Sequence, residues 1–307
     1  MARHLVCLTF DFDAVSIWIR RGQTTPTALS RGEFAVVGAE RILDLLRDRR
    51  IRATWFIPGH TLDTYPEMCR RIHADGHEIA HHGYLHEPPA TLSRDDEEHV
   101  LVRGLEAIGR VTGRAPRGYR SPAWDLSAHT VGLLLAHGFV YDSSMMAHDC
   151  LPYRARDGDQ VGADGAVRWG RQTPLIEMPV AWSLDDYPHF ERAAGPNGLQ
   201  PGLMHAAGVL DNWVDDFRYL ARTAGWGVLT YTFHPQVSGR GHRMLTIERL
   251  IDATRDLGAT FVRMDEAAAE FAARDGGARG VRPGPARGAA KRAKTAGGGA
   301  GKRRAGR

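Results

Sequence analysis

The stretch EIAHHGYLHE, residues 78–87, places three histidines between two glutamates. His82 and His86 are separated by three residues, a spacing that can bring two imidazoles onto one ion, on a helical turn or across a tight loop. Gly83 allows the backbone to turn sharply after the strand that begins this stretch. His81 precedes His82 on that strand and is expected to face the opposite side. The stretch therefore predicts half of a metal site.

Asp11 and Asp13 are the candidates for the remaining protein ligand. They close the apolar run HLVCLTFDFD with Phe12 between them, so strand alternation puts both carboxylates on one face. Two carboxylates side by side at a buried strand end repel unless a cation or a proton intervenes. A capping role would explain the pair alone, but the histidine pair makes a metal site the better interpretation. One carboxylate with two histidines leaves open coordination positions, which is typical of a catalytic metal.

A hydrolytic metal site also needs a base for the water and an acid for the leaving group. The aspartate of the pair that does not bind metal is the candidate base. His234, at the end of GVLTYTFHP, is the candidate acid, and a satisfied core or loop histidine is the alternative interpretation. The donor set suits zinc, cobalt, nickel and iron nearly equally, so these residues do not select the metal.

The candidate residues follow apolar runs that alternate with amphipathic stretches over about 270 residues. Some seven β/α alternations predict an α/β architecture with parallel strands, most simply a barrel. Chemistry in such barrels lies at the carboxyl ends of the strands. The polar clusters each follow an apolar run, as this rule requires: DFD, HHGYLH, YRSPAW, YDSS and FHPQ. Segments 145–174 and 183–204 are predicted to be irregular insertions that shape the site.

The 307-residue chain carries a formal net charge of +4, which is unevenly distributed. Residues 275–307 contain ten Lys or Arg and one Asp, so the preceding part is mildly acidic. This tail has almost no large apolar residue and cannot bury enough surface to offset the entropy of ordering. It is predicted to be disordered, and a solubilising extension is favoured over contact with nucleic acid.

Three cysteines, far apart and without CxxC spacing, favour a reducing compartment over a disulfide framework. The amino-terminal residues lack the apolar segment of a signal peptide, and no run of about 18 apolar residues predicts a membrane span. A cytoplasmic location without membrane contact is therefore expected. Homo-oligomer formation involving the insertion 183–204 is kept open.

Five motifs, in order along the chain, resemble those of the polysaccharide deacetylase superfamily, also called NodB-homology proteins or carbohydrate esterase family 4. They are TFDFD, HHGYLH, RSPAW, WSLDD and TFHPQ, and the resemblance extends from about residue 4 to about residue 270. The phrases LSRGEF and HEIAHHGYLHE are similar to the cytoplasmic branch with peptidoglycan deacetylase-like and allantoinase-like proteins. The resemblance implies a distorted (β/α) barrel, with residues 1–274 as one catalytic domain followed by the tail.

The resemblance also implies roles for individual residues. Asp13, His82 and His86 would hold a divalent metal ion, usually Zn²⁺ in this family. Asp11 would act as the general base, and Arg120 would pair with Asp11 and keep it ionised.

The remaining implied roles concern the leaving group and the substrate. His234 would protonate the leaving nitrogen, and either Asp185 or Asp186 would lie near His234 and raise its pKa, with Asp186 preferred. Three aromatic residues would bind substrate as walls of the pocket: Trp124, Trp182 and Tyr187. Core packing is the alternative for the two tryptophans.

Two departures from the family pattern leave assignments open. The common form has adjacent aspartates, TFDDG, whereas Phe12 separates the pair in this chain, so the roles of the two aspartates could be exchanged. RSPAW places its aromatic residue one position later than the usual RPPY. The backbone donor to the oxyanion is therefore open between Ala123 and Trp124.

The residues and the resemblance together predict a metal-dependent hydrolase of carbon–nitrogen amide bonds in a small-molecule or glycan substrate. Removal of an N-acetyl group from an amino sugar is the favoured reaction. Hydrolysis of a cyclic amide, as in allantoinase- or imidase-like proteins, is the first alternative, and a cytoplasmic location supports it because cell-wall polymers lie outside the membrane. A catalytically silent binding barrel is the second alternative.

Overall fold

The computed structural model describes residues 2–195 and 198–278, in which strands and helices alternate. The strands are β1 (Arg3–Asp11), β2 (Thr54–Ile57), β3 (Glu78–His81), β4 (Gly118–Tyr119), β5 (Tyr141–Asp142), β6 (Tyr153–Asp157), β7 (Gln160–Val161), β8 (Val167–Arg168), β9 (Arg171–Glu177), β10 (Ala193–Gly195), β11 (Gly198–Gln200), β12 (Trp226–Phe233) and β13 (Ala259–Phe261). The helices are α1 (Ser16–Arg20), α2 (Pro26–Arg49), α3 (Gly59–Thr64), α4 (Pro66–Ala74), α5 (Arg94–Thr112), α6 (Thr130–Ala136), α7 (Asp186–Phe190), α8 (Ala206–Thr223), α9 (Pro235–Ser238), α10 (Gly241–Asp256) and α11 (Met264–Ala278). None of the helices in these ranges is both long and apolar enough to span a membrane.

One curled sheet carries the candidate site. Its strand order is β12-β1-β2-β3-β4-β5-β9-β6, with β13 also paired to β1. Every pairing in this sheet is parallel apart from that between β6 and β9. Irregular segments contact β12: Val228 N–H donates to Cys150 O at 2.8 Å, and Asp185 forms an isolated parallel bridge with Thr232. This architecture confirms the predicted α/β fold of the distorted (β/α) barrel type.

Strand β1 places the two predicted aspartates by simple alternation of its side chains. One face packs into the main hydrophobic core through Val6, Leu8, Phe10 and Phe12. The other face begins in a second core cluster and ends in buried polar groups: Leu5, Cys7, Thr9, Asp11 and Asp13. The period of two that buries the apolar residues therefore also brings both carboxylates to the same face.

Helix α5 begins where its sequence predicts and packs over β3. Ser93 precedes it with extended backbone, and the Ser93 hydroxyl accepts a hydrogen bond from Asp96 N–H at 3.2 Å. Gly104 permits close packing, since a Cβ atom there would lie 2.2 Å from His81 Nε2. His81 Nε2 donates to Leu101 O at 3.0 Å, so this histidine faces α5. It points away from the predicted metal ligands, as strand alternation requires.

The segment 145–174 is more regular than predicted. β6 pairs with β9 and extends the main sheet, while β7 and β8 form a separate two-stranded sheet. In β6 only Ala155 is buried and its polar neighbours are half-buried, which is the pattern of a strand with one side open. Segment 183–204 likewise contains α7, β10 and β11. The sequence did not predict these short elements because both segments contain glycines and prolines, which usually indicate irregular loops.

Helix α11 was not among the predicted elements and crosses the predicted domain boundary at residue 274. Its contacts with the core are made by Met264, Ala267 and Ala268, with the half-buried Phe271 and Ala272 packed against them, so three of the five contact residues are alanines. Arg154 Nε donates to Asp275 Oδ2 at 3.0 Å and ties the last turns of the helix to β6. The predicted disordered tail otherwise concerns residues 279–307, which lie outside the described residues.

Candidate active site

Asp13, His82 and His86 converge at one buried point beyond the carboxyl ends of β1 and β3. His82 Nε2 lies 3.5 Å from Asp13 Oδ1, and His86 Nε2 lies 3.7 Å from Asp13 Oδ2. One potential ligand atom from each residue lies within 4.8 Å of the others. The structure therefore brings together the three residues that the sequence proposed as ligands.

The surrounding backbone orients both imidazoles. His82 Nδ1 donates to Arg120 O at 2.8 Å, and because a carbonyl only accepts, Nε2 is left to present its lone pair toward Asp13. His86 adopts a left-handed φ of 60°, which a non-glycine residue keeps only when its surroundings hold it. Burial lowers the pKa of His82 to about 4 and that of His86 well below its usual value. Both rings are therefore neutral near pH 7 and able to act as metal ligands.

The charge of Asp13 has no protein partner at hydrogen-bond distance. Both of its carboxylate oxygens are buried and accept no hydrogen bond among the described residues. Burial raises the pKa of Asp13 to about 8, opposed by His234 and assisted by Asp11. A buried carboxylate is costly unless a charge compensates it. One carboxylate and two imidazole lone pairs directed to a common point fit a divalent transition metal ion.

Asp11, unlike its neighbour in the pair, is held by a cation of the protein. Arg120 Nη1 donates to Asp11 Oδ1 at 2.7 Å, and both side chains are buried. Arg120 is fixed in turn, because Nη1 also donates to the Thr9 hydroxyl at 2.9 Å and Nε donates to Ser143 O at 3.2 Å. Asp11 Oδ2 lies 3.8 Å from His82 Nε2. The free oxygen of this carboxylate is thus directed toward the proposed metal ligands.

The loop that holds Arg120 rests on two buried acids that the motifs did not reveal. Glu177 Oε1 accepts from the backbone N–H groups of Ser144 and Met145 at 2.8 and 2.9 Å. Asp142 Oδ1 accepts from the Ser144 hydroxyl at 2.7 Å. Burial raises the pKa of Glu177 well above its usual value and that of Asp142 to about 6. The only sequence signal for either acid was the position of YDSS, which contains Asp142, directly after an apolar run.

His234 lies at the end of β12 with Asp186 as its closest acidic partner. Its Nδ1 donates to Asp186 Oδ1 at 2.7 Å, and its backbone N–H donates to Asp186 Oδ2 at 3.0 Å. Asp185 Oδ1 is 3.5 Å from the same Nδ1 and accepts from Tyr187 N–H at 2.8 Å. Burial alone would lower the pKa of His234, but Asp185 and Asp186 raise it well above its usual value. His234 Nε2 lies 3.8 Å from Asp13 Oδ2, beside the proposed metal ligands, and the raised pKa of the ring favours its protonated form.

A cavity of about 400 Å³ opens onto these groups. Trp124 and Trp182 line it and stack with ring centroids 4.4 Å apart, while Tyr187 lies 5.2 Å from the His234 ring. Trp182 is 46% exposed, so its ring is accessible to a ligand. Arg21 also lines the cavity and donates to the Tyr187 hydroxyl at 3.0 Å. Sequence reasoning missed Arg21, because a basic residue after a short helix resembles any solvated surface residue.

The turn Pro122–Trp124 brings backbone N–H groups to the cavity wall. Ala123 and Trp124 have φ values of 58° and 52°, a left-handed backbone that is uncommon outside glycine. Trp124 N–H donates to Ser121 O at 3.0 Å and is therefore used within the turn. Ala123 lines the cavity. Both residues line the cavity, and of the two N–H groups that the sequence left open, that of Trp124 is already used within the turn.

The chain is similar in sequence and in structure to polysaccharide and peptidoglycan deacetylases. A family model described as Polysaccharide deacetylase matches residues 2–141. A peptidoglycan deacetylase of Helicobacter pylori is 37% identical over an alignment 286 residues long, which covers 88% of this chain and 97% of that protein. Similar protein structures include one assigned as a polysaccharide deacetylase from Mycobacterium smegmatis, at 32% identity and a TM-score of 0.75, covering 89% of this chain and 92% of that one. Puue allantoinase is similar in fold, with a TM-score of 0.73 at 20% identity over 89% of this chain and 91% of its own.

Proposed function

The chain belongs to the polysaccharide deacetylase family of carbon–nitrogen hydrolases, and from this premise we propose that it removes the N-acetyl group from an amino sugar in a zinc-dependent reaction. The observation that carries the proposal is the contrast between two neighbouring carboxylates. Asp11 is neutralised by Arg120, whereas Asp13 has two buried, unpartnered oxygens facing two neutral histidines. The first is suited to act as a base, and the second is suited to bind a cation.

Asp13, His82 and His86 would hold the metal ion, with Zn²⁺ as the proposed species. When bound, the ion supplies Lewis acidity to the amide carbonyl and to the hydrolytic water. The neutral state of both histidines supports this assignment, because a protonated imidazole cannot bind a metal.

Asp11 acts in the first step, in which water attacks the carbonyl carbon of the acetamide. Asp11 Oδ2 accepts the proton of the water while the new carbon–oxygen bond forms and the carbonyl π electrons move onto oxygen. Arg120 fixes the orientation of Asp11 through the 2.7 Å hydrogen bond. The N–H group of Ala123 is the proposed backbone donor to the developing oxyanion.

His234 acts in the second step, in which the tetrahedral intermediate collapses. Its Nε2 proton passes to the amide nitrogen as the carbon–nitrogen bond breaks, leaving acetate and a free amine. Asp186 holds the opposite ring nitrogen at 2.7 Å and keeps Nε2 directed into the cavity. The raised pKa of His234 keeps this acid protonated at neutral pH.

Stacked aromatic rings support a sugar as the substrate. The exposed face of Trp182, backed by Trp124, offers a flat apolar surface of the kind on which a pyranose ring packs. Tyr187 and Arg21 add polar groups on the side of His234. A rigid surface with a few polar groups is typical of small-ligand sites.

A substrate panel with defined metals tests the proposal. The full chain is treated with a chelator, reconstituted with zinc, cobalt, nickel or iron, and incubated with N-acetylglucosamine oligomers, acetylated muropeptides or allantoin. Acetate release from the acetylated sugars should depend on added metal and disappear in Asp13→Ala. Asp215→Asn, which changes an exposed aspartate of α8, serves as the matched control and should retain activity.

Two results would contradict the proposal. Full acetate release by metal-stripped protein would exclude the metal-dependent reaction. Ring opening of allantoin without any release of acetate would instead favour the cyclic-amide alternative, for which the similarity to Puue allantoinase supports only the fold.

The catalytic domain is proposed to comprise the residues before the basic tail. Because α11 ends at Ala278 and is tied to β6, the deletion that respects the fold removes residues 279–307 rather than beginning at 275. This deletion should leave acetate release unchanged. Nucleic-acid retention on a heparin or DNA column, compared before and after deletion, tests the alternative role of the tail.

A further inference from the structure

A second cavity, of about 280 Å³, lies next to the proposed active site. Helix α7 takes part in both walls, because Tyr187 and Pro188 line the catalytic cavity whereas Phe190 lines the second one. The volume is close to the lower end of small-molecule sites, roughly 300 Å³. No residue to which we assign a catalytic or metal-binding role lines this second cavity.

The second cavity is strongly basic. Four arginines line it: Arg31, Arg192, Arg240 and Arg243. Glu191, which also lines it, forms an ion pair with Arg31. Within the described ranges the other three arginines form no ion pair with a carboxylate, and Arg240 lies over the Phe34 ring at 4.0 Å. The cavity therefore concentrates positive charge that nearby carboxylates neutralise only in part.

Three buried polar atoms at this cavity have no hydrogen-bond partner among the described residues. Gln236 and Arg243 are only 3% and 5% exposed. Both amide atoms of Gln236 and the Nε atom of Arg243 make no hydrogen bond to any described residue. The terminal nitrogens of Arg243 are used, since they donate to Val237 O at 2.8 Å and to Phe190 O at 3.0 Å. Buried polar groups are normally paired, so the two unpaired donors, Gln236 Nε2 and Arg243 Nε, indicate a ligand with acceptor atoms, whereas Gln236 Oε1 would need a donor such as a protonated oxygen of that ligand.

We propose that this second cavity binds a small oxyanion, either inorganic phosphate or the phosphate group of a small metabolite. Guanidinium groups match phosphate oxygens in charge and in the geometry of their donors. Gln236 and Arg243 supply donors at the buried end, and Arg192 and Arg240 supply charge at the exposed end. A carboxylate ligand would use fewer of these donors than a phosphate group with three terminal oxygens.

Isothermal titration of the full chain with three probes tests the proposal. The probes are inorganic phosphate, glycerol 3-phosphate and glycerol, in a phosphate-free buffer with a chelator present so that no metal ion recruits phosphate to the active site. Saturable binding of either phosphate probe, with none of glycerol, is expected. Tighter binding of glycerol 3-phosphate than of inorganic phosphate would identify an esterified phosphate as the ligand, and the reverse order would identify the free anion.

Two variants and a matched control locate the binding. Arg240→Gln removes an exposed charge, and Gln236→Leu replaces an unpaired amide by an apolar group of similar size, so neither is expected to unfold the chain. Each should weaken phosphate binding by about tenfold or more, whereas Arg218→Gln on α8 should not. Gln236→Leu should also melt no lower than the unmodified chain when phosphate is absent.

The proposal fails if the unmodified chain binds neither phosphate probe. It also fails if Arg240→Gln and Gln236→Leu bind phosphate as tightly as the unmodified chain, because the anion would then lie elsewhere and water would occupy this cavity.

Discussion

Asp13→Asn should stabilise the metal-free protein while removing its function. Burial raises the pKa of Asp13 from 3.8 to about 8, so the folded state resists ionisation of this group and the unfolded state does not. Below pH 3.8 the carboxyl is neutral in both states, and no penalty exists. As the pH rises above that value only the unfolded chain ionises, so the metal-free fold loses stability until the folded pKa is passed.

The magnitude follows from the same two values. Each pH unit between them costs about 1.4 kcal/mol, which amounts to about 4 kcal/mol at pH 7. Asparagine is neutral at every pH and removes this cost, but its unpaired amide costs about 1–3 kcal/mol. The net gain in the free energy of unfolding should therefore be about 1–3 kcal/mol at pH 7. Asp11→Asn should have the opposite sign, because it leaves Arg120 buried and unpaired, at a cost of about 3 kcal/mol or more.

Urea denaturation of the two variants and the unmodified chain, with chelator and then with excess zinc, measures both effects. With chelator, Asp13→Asn should be the most stable of the three and Asp11→Asn the least. Zinc should stabilise the unmodified chain and have little effect on Asp13→Asn. If metal-stripped Asp13→Asn unfolds at the same or lower urea concentration than the unmodified chain, the reasoning about an uncompensated carboxylate is wrong.

Three further predictions concern the acid, the aromatic wall and the packing of β3. Asp186→Asn removes the charged acceptor of the hydrogen bond from His234 Nδ1. A hydrogen bond of this charged kind contributes about 1.5–3 kcal/mol, so the pKa of His234 should fall by about one to two units. Because His234 must be protonated to act, the alkaline limb of the kcat/KM profile should move to lower pH by that amount, and an unchanged limb would remove His234 from the role of acid. Trp182→Ala should raise KM for acetylated sugar oligomers by about tenfold. The variant should lose little stability, since Trp182 is half exposed, and an unchanged KM would show that the ring serves packing rather than substrate binding. Gly104→Ala should destabilise the fold by about 1–3 kcal/mol in urea denaturation, because its Cβ would meet the His81 ring, and a stability equal to that of the unmodified chain would show that α5 can shift.

The fold and the ligand-bearing strand ends were predictable because both depend on local alternation. The burial of Phe10 and Phe12 on one face of β1 requires Asp11 and Asp13 to share the other face, and the strand period separates His81 from His82 in the same way. The order of the motifs then places these ends at one edge of a parallel sheet.

The remaining parts of the site depend on contacts between distant segments or on backbone conformation, which local patterns do not encode. Arg21 reaches the cavity from a surface turn, and Glu177 supports Arg120 only through an intervening loop. Ala123 has a left-handed backbone conformation, which alanine usually avoids, and no periodic pattern in the sequence predicts it. Helix α11 escaped prediction because three of its five core-contacting residues are alanines, which give a weak apolar pattern.

Strand β1 joins the earliest and the latest parts of the chain, which gives the site an order of assembly. β1 pairs with β2 over Thr9–Asp11 and with β12 from Arg3 to Phe10. Chains are synthesised from the amino terminus, so the three proposed metal ligands, all within the first 86 residues, emerge long before β12 and the acid that follows it. A nascent or truncated chain that ends before residue 226 carries all three proposed metal ligands without the proposed proton donor. Pairing of β12 with β1 is therefore the contact that brings the proposed proton donor to the proposed metal ligands.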